Sequence, residues 1–283
     1  MNNIISIITI NYNDKSGLSK TIESVKNQSF KDFEFIIIDG GSTDGSTDLI
    51  EQNKQIITHW VSEKDTGVFN AMNKGIKVAT GNFVIFMNGG DCFYNEKVLE
   101  EVNQLLTPEY DIYYGDNYKV SPNSKRLKTY PEKLNFSFFY SSSINHQSTF
   151  IRKSLFEDHF YYNENYKIAS DWEFFVYTIC YKNVPYKYLK KTIAIYDFTG
   201  ISSNQKFSDL FISEKKQSIQ KYFPAFIDDY KDINELTSKR FLQFQHIKKY
   251  TFAWKFLKAT INIILLFLPK ATIGNKPSEN NVI

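Results

Sequence analysis

The chain has 283 residues, with 34 Lys and Arg against 31 Asp and Glu and a net charge of +3 at pH 7. So slight a surplus excludes a dedicated nucleic-acid coat, and 42% hydrophobic residues exclude an acidic, disordered chain. Aromatic residues reach 17%, so one large or two small domains can bury a sizeable core and still leave rings to face a ligand or a membrane.

Ile4–Ile10 is a β-branched apolar run, the pattern of a buried strand, and Asn11-Tyr12-Asn13-Asp14 breaks it. Leu18, Ile22 and Val25 then recur at helical spacing as far as Gln28. Phe33–Asp39 reads as a second buried strand, residues 40–45 as a turn, and Ser46 or Thr47 as the cap of a helix carrying Leu49 and Ile50. A short strand over Ile56–Val61, a helix over Phe69–Ala79 and a strand over Phe83–Met87 follow, the last closed by Asn88-Gly89-Gly90-Asp91. This alternation predicts a parallel, doubly wound sheet, whose ligands sit at the carboxyl ends of the strands. Asn11-Tyr12-Asn13, Asp39 and Asn88-Gly89-Gly90-Asp91 stand at three such ends and are expected to form one site.

The pattern after residue 110 is less regular. It predicts strands at Asp111–Tyr114, Gln147–Ile151 and Thr192–Tyr196, a helix over Trp172–Tyr181, helices from Asp209 onward, and a frayed tail from Lys270. Cys92 and Cys180 make no disulfide framework, and four histidines with no close Cys/His spacing argue against structural zinc. The N-terminus lacks a signal-peptide pattern, so the cytoplasm, or the inner face of the plasma membrane, is the expected location. Ala259–Leu268 is about half the ~20 apolar residues a spanning helix needs. Residues 245–270 mix Lys248, Lys249, Lys255 and Lys258 with Phe252, Trp254 and Phe256. That mixture suits an interfacial helix on an anionic membrane. It equally suits a helix packed on the catalytic domain or on another subunit.

Neither GxGxxG nor GxxxxGK[ST] occurs. A carboxylate at a strand end repels phosphate unless it reads a base or ribose or a cation intervenes. The residues therefore favour a nucleotide held by its base near Asp39, with a cation bridging Asp91 to a diphosphate.

IITINYND, IIIDGGSTDGS, SEKDTGVFNAMNKGI and ATGNFVIFMNGGD, in that order, resemble the successive signatures of glycosyltransferase family 2. NHQSTFIRKSLF resembles a segment of its bacterial polysaccharide branch, ASDWEFF the segment carrying the catalytic base, and FTGISS a flexible active-site loop. The resemblance spans residues 3–205. It implies an α/β GT-A fold, a Rossmann-like, mostly parallel sheet flanked by helices. Residues 1–205 would form the catalytic domain, 206–270 a helical extension suited to membrane association and 271–283 a tail. The implied activity is inverting transfer of a hexose from a nucleotide-diphosphate sugar, UDP-hexose first. The acceptor would be a hydroxyl of a growing, lipid-linked surface glycan such as capsule, exopolysaccharide or O-antigen.

The resemblance also assigns roles. Tyr12 would stack on the base and Asp39 read it, Asp65 with Gly67 would close on the nucleotide, and Asn73 and Lys74 would meet ribose or phosphates. Asn88 belongs to the same nucleotide-sugar site. His146 and Gln147 would lie by the sugar. Trp172 either stacks on the acceptor or belongs to the core, and Arg152, read from its strand and not from the resemblance, either meets phosphate or is simply exposed. Asp171 is the implied base and Glu173 its alternative. Asp91 would hold Mn²⁺ or Mg²⁺. Asn88 and Gly90 stand where fuller forms of the metal motif are acidic, but diphosphate and water oxygens can complete a one-carboxylate site. Two other readings compete. A nucleotidyltransferase would need a Gly-rich, Arg/Lys-bearing loop after the first strand, which is absent. A sugar-nucleotide-binding module without turnover is prompted by the reduced metal motif and opposed by Asp171.

Overall fold

All seven residues of Ile5–Asn11 are buried and form β1, flanked in parallel by Phe33–Asp39 (β2) and Phe83–Phe86 (β4). A strand covered on both faces has no polar side to show, so it reads as a continuous apolar run. The computed structural model describes residues 4–197, 208–227 and 238–269. The chain divides into two compact units, Met1–Pro224 and Ala225–Ile283.

In the first unit His59–Ser62 (β3) pairs with β2, so the parallel half of the sheet runs β3-β2-β1-β4. Its registers set Asn11 beside Asp39 and Asp39 beside Ser62 at the carboxyl ends. Lys15–Lys26 (α1) starts where Asp14 accepts from the Gly17 amide, and buries Leu18, Ile22 and Val25. After Ser46–Gln52 (α2), Val68–Val78 (α3) approaches β1 so closely that a Cβ on Gly75 would lie 2.4 Å from Ile8 Cγ2.

Beyond β4 the sheet becomes mixed. Thr149–Arg152 (β8) runs antiparallel between β4 and Ile112–Ser121 (β6), and Tyr186–Asp197 (β9) lies parallel to β6. The two residues Cys92–Phe93 (β5) pair antiparallel with β9, which brings Asp91 against Asp197. Ser124–Lys128 (β7) makes an exposed hairpin with β6. Short helices Val98–Asn103 (α4), Phe136–Ser141 (α5) and Ser154–Asp158 (α6) fill the connections. Ser170–Val176 (α7) continues into a π-turn over Tyr177–Tyr181. Ser208–Tyr222 (α8) belongs to the first unit and packs on α7.

The second unit contains Lys239–Lys248 (α9) and Thr251–Leu265 (α10). Among the described residues no helix is long and apolar enough to cross a membrane. The FTGISS loop and the tail from Lys270 lie outside the described residues.

Candidate active site

The end of β2 is organised around Asp39, which is fully buried. Its Oδ1 accepts from Asn11 Nδ2 at 2.9 Å and Ser42 Oγ at 2.6 Å; its Oδ2 accepts from the Ser42 amide at 2.8 Å and Ser62 Oγ at 2.6 Å. Burial opposes the charge, but the hydrogen bonds from Ser42, Ser62 and Asn11 outweigh it and hold the carboxyl below its usual range. Two donors on each oxygen leave Asp39 bracing the strand ends and the turn after β2. Ser42 is a local partner in the turn after β2, whereas Asn11 and Ser62 reach Asp39 only through strand register, which sequence patterning does not reveal.

Tyr12 is exposed beside this bracket, and its ring edge and Asp65 Oδ2 both crowd Gly40, where a Cβ would meet them at 3.1 and 3.2 Å. Lys74 Nζ lies 2.6 Å from Asp65 Oδ1 and 2.7 Å from Glu63 Oε1. Burial works against its charge, yet the two carboxylates prevail and raise its pKa. Lys74 therefore joins Asp65 in one ion-paired group. Asn73 faces the other way. It is buried, donates to the Tyr162 carbonyl and Glu164 Oε1, and accepts from the Tyr162 amide. The expected ribose or phosphate contact is corrected for Asn73: its amide ties α3 to the chain at 162–164.

The end of β4 and the start of α7 are joined by an imidazole. His146 Nδ1 lies 2.9 Å from Asp171 Oδ2, and its Nε2 lies 3.2 Å from Asn88 Nδ2. A carboxylate can only accept, so Nδ1 donates its proton to Asp171. Asp171 Oδ1 accepts from the Trp172 amide at the first turn of α7, and the carboxyl keeps 21% of its surface open.

Its neighbours turn inward. Trp172 is buried, donates to the Phe139 carbonyl at 2.7 Å and carries Lys215 Nζ over its ring. Of the two readings of Trp172, the structure has the core one, and stacking on an acceptor is set aside. Glu173 is also buried, near Lys221, with burial pushing its carboxyl up despite that lysine. It is no alternative base. Arg152 donates to Asp111 Oδ1 and to the Thr107 and Tyr110 carbonyls, and lies over the Phe83 ring. It fastens β8 rather than facing a phosphate.

Asp91 is buried between Gln147 and the end of β9. The Asp197 amide donates to its Oδ1 at 3.0 Å, and the Gln147 side chain also hydrogen-bonds to it. Burial raises its carboxyl to about 7, and the nearby Asp197 charge adds to the rise, against the Asp197 amide, His146 and Gln147. Among the described residues no three His, Cys, Asp or Glu side chains gather as a ready-made metal cage. Two observations nevertheless fit a cation completed by a ligand's oxygens. Asp91 is a buried carboxylate near a second one, and Asn88 Oδ1 is buried without a hydrogen-bond partner.

One further residue escaped sequence reasoning. Glu214 on α8 accepts from the amides of Lys167, Ile168 and Ala169 at 2.7, 3.1 and 2.9 Å, immediately before α7.

The family described as Glycosyl transferase family 2 matches residues 6–161. A PGL/p-HBAD biosynthesis glycosyltransferase of Mycobacterium tuberculosis is 29% identical over 209 residues, 71% of this chain and 79% of the relative. The crystal structure of S. aureus TarS 1-349 in complex with UDP-GlcNAc aligns with a TM-score of 0.61 at 20% identity, over 78% of this chain and 67% of that one. The mannosyltransferase PcManGT from Pyrobaculum calidifontis, in complex with GDP-Man and Mn²⁺, aligns with a TM-score of 0.54 at 11% identity, over 89% of this chain and 86% of that one.

Proposed function

The chain belongs to glycosyltransferase family 2, with the GT-A fold and sugar transfer from a nucleotide sugar, and on that premise we propose an inverting hexosyltransferase acting on a lipid-linked saccharide. The donor is UDP-hexose, a reading supported by the UDP-GlcNAc held by TarS. The acceptor is a hydroxyl of a growing surface glycan of the capsule, exopolysaccharide or O-antigen class, built at the inner face of the membrane.

The observation that carries this reading is the array from Asn88 through His146 to Asp171. Asp171 has an open carboxylate surface with one oxygen fixed by the Trp172 amide and the other by an imidazole. It takes the proton of the acceptor hydroxyl while that oxygen attacks the anomeric carbon. The new bond forms opposite the breaking bond to the diphosphate, so the configuration inverts. His146 holds the carboxylate's direction. Tyr12 stacks on the base, Asp39 keeps the strand ends in place beneath it, and the Asp65–Lys74 pair stands at the nucleotide's edge. Asp91 and Asn88 Oδ1, with Gln147 holding Asp91, would bind Mn²⁺ or Mg²⁺. That ion would neutralise charge on the leaving diphosphate.

The test is Asp171→Asn, assayed with UDP-, GDP- and dTDP-sugars with and without Mn²⁺. Transfer is lost while donor binding, followed by thermal shift, stays within about twofold of wild type. Ordinary turnover by this variant overturns the assignment of the base. Wild-type activity untouched by chelator overturns the role of the ion.

A further inference from the structure

In the second unit, Trp254, Leu257 and Ile261 of α10 are half-buried, and the Trp254 ring meets Phe244 of α9 edge-on at 5.0 Å. The spacing of three and four puts this contact on one side of α10. On the other side Phe252, Phe256, Ala259 and Ile263 follow the same spacing, and Phe267 continues the line into the turn beyond. Phe252 and Phe267 are 92% and 83% exposed, and Phe256 and Ile263 are exposed as well. Water gains nothing from four large apolar side chains in a row, and single exposed hydrophobes are common whereas a stripe is not.

Charge identifies what covers it. Residues 238–269 carry Lys239, Arg240, Lys248, Lys249, Lys255 and Lys258 and no Asp or Glu. The ammonium groups of Lys248 and Lys258 lie 6.0 and 5.7 Å from the Trp254 ring, and Lys255 borders the exposed stripe. Two copies meeting face to face would bring together like charges with no acid to offset them. An anionic lipid surface supplies both the apolar layer and the counter-charge. The 15 residues of α10 span about 22 Å, short of the ~30 Å hydrocarbon core, so the helix lies along the surface.

We propose that the Phe252–Phe256–Ile263–Phe267 face of α10 docks into the interface of an anionic phospholipid bilayer, with Lys255, which borders it, on the headgroups and the unit's other cations adding to the attraction. The inference deepens the lipid-linked acceptor reading and rests on it for its purpose, but it is tested separately. The full chain is floated with vesicles of equal parts phosphatidylglycerol and phosphatidylcholine, and with phosphatidylcholine alone. It co-floats with the anionic vesicles, releases at high salt, and ignores the neutral ones. The triple variant Phe252→Ser, Phe256→Ser, Phe267→Ser floats about tenfold less while retaining its circular dichroism. Transfer to a water-soluble acceptor is unchanged by that variant. The proposal is overturned if the full chain stays in the soluble fraction, or if the triple variant floats as well as wild type. It is also overturned if the stripe instead drives self-association that the variant abolishes. A chain that floats but transfers no sugar sinks the enzyme reading and leaves the docking surface intact.

Discussion

His146 and Asp171, 25 residues apart in sequence, share a 2.9 Å contact between Nδ1 and Oδ2, and the far side of the ring is held by Asn88. The ring thus ties the end of β4 to the first turn of α7. An aimed carboxylate needs both oxygens fixed, and only one of them is fixed from within its own helix. His146→Ala therefore lowers kcat about 10- to 100-fold, the usual effect of losing a group that orients a reacting one. The donor KM stays near wild type. His146→Gln, which restores a donor toward Asp171, recovers part of kcat. A ring that merely filled space would show no such recovery, and steady-state kinetics on the two variants separates the cases.

Asp39→Ala removes the shared acceptor of Asn11, the Ser42 hydroxyl and amide, and Ser62. Leaving these donors unpaired in a buried place costs about 3 kcal/mol of stability, read by urea unfolding. The sign with pH follows from the lowered pKa. A carboxyl held below its ordinary 3.8 contributes stability that is present above that value and lost as pH falls through the folded-state value. Wild type therefore loses stability on acidification below about pH 4 more steeply than Asp39→Asn, which has no proton to take up there.

The contrast between Asp39 and Asn73 shows what patterning can reach. β1, β2 and β4 are legible because buried parallel strands are apolar throughout, and the turns at their ends must be polar. The expected place of the site follows from that alone. β5 is two residues long and β7 is an exposed SKRLK segment, so neither carries a burial signal. Which way a polar side chain faces is a further matter. Asn73 and Lys74 are adjacent, yet α3 turns the first into the interior and the second toward Asp65. Trp172 adjoins Asp171 and points into the core for the same helical reason. Contacts made across the fold, such as Asn11 with Asp39 or Glu214 with the approach to α7, exist only once the sheet and helices have met.

Gly75→Ala sets two effects of opposite sign against each other. In an isolated helix the change is worth about 1 kcal/mol in favour of Ala. Here the added carbon would sit 2.4 Å from Ile8 Cγ2 and 3.6 Å from Ile38 Cγ1, on strands with no room to retreat. Overpacking of this kind costs about 1–3 kcal/mol. The clash wins, and the melting temperature falls by several degrees. A rise in melting temperature would mean that α3 stands further from β1 than this contact requires.

Glu214 acts on Asp171 without touching it. Its Oε1 accepts the Lys167 amide, and its Oε2 the amides of Ile168 and Ala169, two residues before Asp171. These amides precede α7 and have no helical carbonyl behind them. Hydrogen bonds to a charged acceptor are the strong kind, so Glu214→Ala costs about 3 kcal/mol, and Glu214→Gln, which keeps one acceptor oxygen, costs less. Both variants lower kcat in the same order while donor affinity holds, since the proposed donor site stands at the ends of β1, β2 and β4, away from the chain that Glu214 holds. Stopped assays of kcat alongside urea unfolding decide the matter. Loss of stability with kcat unchanged would mean that α7 keeps Asp171 in place by its packing alone.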